Sequence, residues 1–284
     1  MGQFGEPFCD IHPDDADALG LGTARLVTLR QDDTEVILRA RITDSQQRGS
    51  VFVPMHWSNR FAARARINTL VPARVDPISG QPGFKASRGQ ISVFEPLWHA
   101  YAVSVARPCT HGLDYWALSP VAGGFALECA GLQPVEDWQG RARELTACAP
   151  DAEWIAVFDG AAGISRLAAF AGSRLVAAVF VSPEPVEVSR AFLTSALGSD
   201  LPGAQRFRIL AGRNSAGEAD DGAQICACQG VGIDRIRREI AAGADSVDRV
   251  GAACGAGTGC GSCRSDIRRL IASEHAQAVA ARTA

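Results

Sequence analysis

The chain has 284 residues, a net charge of −3, 47% apolar and 21% charged residues, and an isoelectric point near 6.0. This is globular chemistry, neither disordered nor collagenous, with room for one large domain or two to three small ones. The charge leaves no footprint for nucleic acid, no apolar run reaches the roughly 18 residues that span a bilayer, and the first ten residues lack the parts of a secretory signal. The expectation is a soluble, cytoplasmic protein with no membrane and no nucleic-acid partner.

Residues 11–20 predict a short helix. Pro13 suits the first helical position, Asp14 and Asp15 complement the positive end of the dipole, and Gly20 supplies the stop. Residues 24–30 and 35–42 then alternate in apolar character. Val36, Leu38, Ala40 and Ile42 share one face, with Asp32-Asp33 between the runs as in a hairpin. Val51 and Val53 suggest a third strand before Pro54. Short strands with one small helix predict a compact β-barrel over residues 1–95. From His56 to Gln90 the periodicity fades, and so long an irregular stretch inside a compact domain points to function or disorder.

Residues 96–217 read as a connecting α+β domain. Strands are predicted at 154–159, 166–170 and 175–181, the last two joined around Gly172-Ser173. Helices are predicted at 186–197 and 201–210, separated by Pro202-Gly203. Nothing in this region has metal or triad spacing, and His99 and His111 read as core or surface histidines rather than ligands. A Gly-, Ser- and acid-rich linker, residues 212–222, marks a domain boundary.

Nine cysteines in such a chain point to metal or redox chemistry before disulfides. Cys9, Cys109, Cys129 and Cys148 are scattered singly and read as small buried apolar residues. The other five fall in a third domain, 222–275, expected to be small and helical. There, Cys226-Ala-Cys228 and Cys260-Gly-Ser-Cys263 flank a segment whose Ile233, Ile236 and Ile240 share a helical face ended by Gly243. Ile267, Leu270 and Ile271 mark a second helix. So small a helix pair has little core of its own, and a metal centre tying both thiol pairs would stabilise it. Gly255, Gly257, Gly259 and Gly261 let backbone N–H groups approach anionic sulfur. Spacing alone admits an iron–sulfur cluster or a Cys₄ zinc site. The C-x-C pair and the glycines favour the cluster, and zinc remains the alternative.

The stretch from Cys226-Ala-Cys228 to Ala256-Gly-Thr-Gly-Cys260-Gly-Ser-Cys263 resembles the bacterioferritin-associated ferredoxin domain, which also occurs in assimilatory nitrite and nitrate reductases. The resemblance covers about residues 222–272. It implies a 2Fe–2S cluster on Cys226, Cys228, Cys260 and Cys263, with Cys254 a non-ligand. Glu6-Pro-Phe-Cys-Asp-Ile-His-Pro-Asp-Asp-Ala16, Gly49-Ser-Val-Phe-Val-Pro-Met-His-Trp57, Ile67-Asn-Thr-Leu70 and Asp76-Pro-Ile-Ser-Gly-Gln-Pro-Gly-Phe-Lys85 form a second, ordered set. Together they resemble the C-terminal molybdopterin-dinucleotide-binding domain of molybdenum oxidoreductases, a double-psi β-barrel. That resemblance implies a molybdopterin guanine dinucleotide, with His56, Asn68 and Lys85 near the cofactor and Pro54, Trp57 and Phe84 shaping the wall. Amide and ammonium donors at Asn68 and Lys85 suit a pyrophosphate and the hydrogen-bonding edges of a pterin.

A barrel, a middle domain and a ferredoxin-like tail in this order look like the C-terminal third of a bacterial assimilatory nitrate reductase. The implied function is to pass electrons through the 2Fe–2S cluster toward the molybdenum site for reduction of nitrate to nitrite. Members of that family also carry an N-terminal 4Fe–4S motif and a molybdenum-binding body. The expectation is therefore a fragment or split-gene subunit with no catalytic residue of its own. Its partners would be an electron donor (a reductase or ferredoxin) and a companion chain with the molybdenum-binding body. The alternative is a free-standing 2Fe–2S ferredoxin-like docking module without molybdenum chemistry.

Overall fold

The computed structural model describes residues 5–21, 25–83, 87–212, 224–226, 231–258 and 263–283. The chain divides into two compact units. The larger takes Gly5–Glu187 and Ala196–Arg206, and the smaller takes Val188–Ser195 and Phe207 onward.

The larger unit opens with β1 (Phe8–Ile11) and α1 (Pro13–Ala18). Helix α1 begins as its sequence predicts: Pro13 takes the first turn and the His12 ring accepts the Asp14 N–H at 3.1 Å. Strands β2 (Leu26–Gln31) and β3 (Thr34–Ile42) form the expected hairpin, with Asp32 left-handed at φ +50° in the turn. With β4 (Val51–Phe52) and β5 (Gln90–Phe94) they make a five-stranded sheet of order β4-β1-β3-β2-β5. Only β1 and β3 pair in parallel among these neighbours. Period-two alternation divides the side chains between two faces. Val27, Val36, Leu38 and Ala40 pack with Ala16 of α1 and with Leu70. Leu26 and Ile37 point the other way, into a layer with Ala62, Ala65, Tyr115 and Ala117.

That layer rests on a second, six-stranded antiparallel sheet. Its strands are β6 (Trp98–Ser104), β7 (Tyr115–Val121), β8 (Gly124–Gly131), β9 (Glu153–Asp159), β10 (Ile164–Ala171) and β11 (Arg174–Ser182), in the order β7-β8-β6-β11-β10-β9. Helix α2 (Trp138–Thr146) covers the far face, with Ala142 and Leu145 against Ala100, Leu127 and Val179. The Asp137 carboxylate caps α2 by accepting the Gly140 N–H at 2.9 Å. Trp98 lies flat on Gly131, where any Cβ would come within 2.3 Å of the indole.

Two helices come out shorter than the sequence predicts: α3 (Arg190–Ala196) and α4 (Gln205–Ala211). The Ser189 hydroxyl accepts the Phe192 N–H at 3.3 Å, so α3 starts there rather than at Val186. Gly203, at φ +56°, turns the chain and delays α4. In the smaller unit the two-stranded pair β12 (Gln224–Cys226) and β13 (Val231–Gly232) leads into α5 (Ile233–Ala241), α6 (Val247–Cys254) and α7 (Arg264–Thr283). Among the described residues no helix is long and apolar enough to cross a membrane.

Candidate cofactor sites

Two of the four predicted cluster ligands, Cys226 and Cys263, can be placed; Cys228 and Cys260 lie outside the described residues. Cys226 ends β12, whose partner β13 runs straight into α5. Cys263 precedes α7, and its carbonyl accepts the Ile267 N–H at 3.0 Å. Both thiols are buried, at 0% and 2% exposure, in an apolar cluster with Ile236, Ile240, Val250 and Ile267. Helix α6 supplies the third wall. Ser246 caps its start by accepting the Arg249 N–H at 3.4 Å, and Gly255 closes its end at φ +80°.

The chemistry of this pair is legible in its protonation. Burial, then a hydrogen bond and charge repulsion from Cys226, push the Cys263 thiol up to about 12. Backbone N–H groups of Gly257 and Cys263 act in the opposite direction, as donors that favour the thiolate. Two adjacent sulfurs in an apolar wall stay protonated unless a cation replaces the protons, and Fe(III) does this with soft thiolate ligands. Gly257 holds φ +81°, and a Cβ there would press on Ile267 and Val247 at 3.3 Å. The glycine therefore permits both the left-handed turn and the close approach of its amide. The donor set, burial and amides at Cys226 and Cys263 fit a 2Fe–2S cluster. Cys254 differs in kind. It sits on α6, half-buried, and its thiol donates to the Val250 carbonyl at 3.2 Å.

The scattered cysteines divide. Cys9 and Cys129 are buried as expected, and burial pushes the Cys9 thiol up to about 12. Cys109 is exposed and Cys148 half-buried, so the expectation fails for Cys109.

Of the residues expected to meet the dinucleotide, Phe84 and Lys85 lie outside the described residues. Pro54 is buried and His56 exposed. Trp57 is half-buried in the layer between the two sheets, beside Ala62, Ala65 and Tyr115. Asn68 is exposed on a 3-10 turn, Ile67–Leu70, whose Ile67 and Leu70 anchor on the opposite face of the five-stranded sheet. Trp57 and the Asn68 turn thus serve different faces. The hairpin that follows is tightly organised. Asp76 accepts N–H bonds from Ile78 (3.0 Å) and Ser79 (2.7 Å) and the Ser79 hydroxyl at 2.9 Å, which together hold its carboxyl below the usual range.

Sequence reading missed a polar knot near this domain. Arg39 grips Glu6 with two hydrogen bonds of 3.0 Å, and the Tyr115 hydroxyl donates to the same carboxylate at 2.7 Å. The signal was available: Arg39 falls on the inward face of a strand between Ile37 and Arg41.

Comparison with known proteins finds a separate family match at each end of the chain. Residues 2–88 match the family described as Molydopterin dinucleotide binding domain, and residues 224–273 match the BFD-like 2Fe-2S binding domain. The chain is 30% identical over 278 residues to a nitrate reductase of Klebsiella oxytoca, a match covering 98% of this chain and 32% of that protein. It is 29% identical over 80 residues to the assimilatory nitrate reductase catalytic subunit of Bacillus subtilis, covering 28% of this chain and 11% of that protein. It is 44% identical over 55 residues to the nitrogen fixation protein NifU of Leptolyngbya boryana, covering 19% of this chain and 27% of that protein. The chain spans about a third or less of the length of these relatives. The chain thus carries a segment similar to molybdopterin-dinucleotide-binding domains ahead of a segment similar to BFD-like 2Fe–2S domains.

Proposed function

We propose that this chain is the cofactor-binding and electron-transfer portion of a molybdenum-dependent nitrate reductase with an assimilatory role in the cytoplasm. The observation that carries the reading is colinearity: both domains stand in one chain, and the similarity to the Klebsiella oxytoca nitrate reductase runs through 98% of it. In this reading, residues 1–95 are a double-psi β-barrel, 96–217 a connecting domain and 222–275 the cluster domain. When bound, the cluster supplies one-electron storage and molybdenum supplies oxygen-atom transfer, in which nitrate takes two electrons and two protons to give nitrite and water.

The chain's own residues have positional duties. Cys226, Cys228, Cys260 and Cys263 ligate iron, and the Gly257 amide stabilises added charge on the Cys263 sulfur, which raises the reduction potential. Ile236, Val250 and Ile267 exclude water from the sulfurs. In the first domain His56, Asn68 and Lys85 hydrogen-bond the dinucleotide, with Pro54, Trp57 and Phe84 as wall. An electron-donor protein meets the cluster domain, and a molybdenum-binding body meets the barrel, in a companion chain or the same longer polypeptide.

Anaerobic purification tests the reading. The protein carries about two irons per chain and gives a cluster EPR signal once reduced. Stoichiometric zinc, with iron and sulfide absent even after reconstitution, overturns it. The NifU match favours a second reading, a 2Fe–2S module without molybdenum chemistry. Pterin analysis of protein isolated from its native host separates the two, since only the first carries pterin.

A further inference from the structure

An edge strand leaves one row of backbone N–H and C=O groups without a neighbour unless something covers it. In the six-stranded sheet the β7 edge is covered. The Leu118 N–H donates to the Phe61 carbonyl at 2.7 Å, the Ala63 N–H donates to the Trp116 carbonyl at 2.9 Å, and Pro120 has no N–H to offer. The β9 edge differs. Among the described residues β9 pairs only with β10, and Ala156, Val157, Phe158 and Asp159 are all exposed. Val157 and Phe158 are each 53% exposed. From Trp154 to Phe158 the strand is wholly apolar, with no lysine, proline or glycine to blunt it. The edges of the five-stranded sheet offer less: β4 has two residues, and β5 exposes the polar Gln90 and Ser92.

The order of residues along this edge points to its occupant. Glu153-Trp154-Ile155-Ala156-Val157-Phe158-Asp159 is a palindrome of chemical classes: acid, aromatic, β-branched, alanine, β-branched, aromatic, acid. Turned about a two-fold axis at Ala156, a second β9 lies antiparallel to the first. Trp154 then stands opposite Phe158, Ile155 opposite Val157, and Ala156 opposite its own copy. Aromatic and β-branched cross-strand pairs are combinations that stabilise antiparallel strands. The faces agree as well. Trp154 packs with the α2 layer, where the Arg143 guanidinium lies 6.0 Å from the ring centre, and Phe158 shares that face by the period of two. At the ends Glu153 meets Asp159, a pair that would repel if bare. Neither is bare: Arg206 pairs with Glu153 at 2.7 Å, and Asp159 accepts the Ala162 N–H at 3.1 Å. Pairing with a different strand places no demand for symmetry on β9, whereas pairing with itself does.

We propose that β9 is the contact between two copies of this chain, joined edge to edge about a two-fold axis at Ala156 into one continuous sheet. The two strands exchange the backbone hydrogen bonds that each otherwise gives to water, and Val157 and Phe158 of both copies are covered. One strand pair makes a small interface, so the dimer forms and parts with concentration.

Sedimentation velocity of residues 1–284, cluster intact, over a rising concentration series is the test. Monomer giving way to dimer is expected. Ala156 is exposed, so a charge there spares the monomer fold, yet on the axis it meets its own copy. Ala156→Lys and Ala156→Glu should each weaken dimerisation at least about tenfold, and mixing the two variants should restore it. Leu132→Lys, at an exposed apolar residue just past β8, should change nothing. Hydrogen exchange of the unaltered chain should slow at the amides of 153–159 as the dimer fills. Dimers that survive both charges, variants that stay monomeric when mixed, assemblies larger than a dimer, or exchange at β9 that ignores concentration each overturn the pairing. An unaltered chain that stays monomeric also overturns it, and loss of companion-chain binding in Ala156→Lys would then assign the edge to a foreign strand.

Discussion

His99 is a buried imidazole without a hydrogen bond at either ring nitrogen among the described residues. It is 3% exposed near the start of β6. Burial first, then the positive charges of Arg39 and Arg25, lower its pKa to about 4, and Glu6 opposes them weakly. The ring is thus neutral in the folded protein, whereas in the unfolded chain it protonates near 6.5. The unfolded state binds the extra proton, so this stability is full above pH 6.5 and drains as pH falls toward 4. The loss is on the order of 3 kcal/mol. Urea titrations across that window should show the slope, and His99→Leu should flatten it. An unchanged slope in the variant would assign the acid sensitivity elsewhere. The cysteines differ residue by residue too. Cys260→Ser and Cys263→Ser should abolish the cluster's visible absorption, while Cys254→Ser, whose thiol serves a helix carbonyl, should leave it. Loss of the cluster in Cys254→Ser would refute the ligand set.

At the scale of elements, Glu6, Arg39 and Tyr115 fasten the arm before β1 to β3 and to β7 of the second sheet. The Arg39 and Glu6 side chains are 12% and 21% exposed, so their ion pair works in a medium where a lone charge is costly. Arg39→Met should cost about 3–5 kcal/mol by stranding the carboxylate, and Tyr115→Phe about 1 kcal/mol. A penalty for Arg39→Met no larger than for Tyr115→Phe, read from denaturant midpoints, would show that the knot is incidental. Other elements were legible in advance to the degree that one side faced water. The β2–β3 hairpin, α1 and α5 each show a period and a stop signal, and all three form where predicted. Strand β6 is buried at every position, so alternation never appears in its sequence, and the sheet from β6 to β8 escaped notice. Helix α2 begins Trp-Gln-Gly, which reads as a loop until Asp137 is seen capping it. Of the sites, the cysteine pairs were legible because thiols are rare and their spacing is chemical. The placing of Trp57 and the Asn68 turn on different faces of the five-stranded sheet was not, because that division depends on strand pairings distant in sequence.

For the whole molecule, the two units should answer differently to loss of iron. The larger has a core spread over two sheets and a helix. The smaller buries its few isoleucines and valines around Cys226 and Cys263, so metal binding and folding are coupled there. Chelation should expose residues 224–274 to protease while residues 25–187 stay protected, and equal protection with and without iron would contradict the coupling. Catalysis carries the last expectation. Nitrate reduction needs molybdenum in a closed site, whereas the residues assigned to the dinucleotide, His56 and Asn68 among them, are exposed here. A surface that contacts one side of a cofactor recovers little of the entropy lost on binding, so affinity for the free cofactor should be weak. Residues 1–284 alone should therefore take electrons from dithionite at the cluster, yet reduce no nitrate with reduced viologen. A molybdenum-binding body supplied alongside should restore molybdenum retention and turnover together, and Lys85→Ala should then weaken cofactor retention. Robust viologen-dependent nitrate reduction by residues 1–284 alone would show that the site closes without a partner surface.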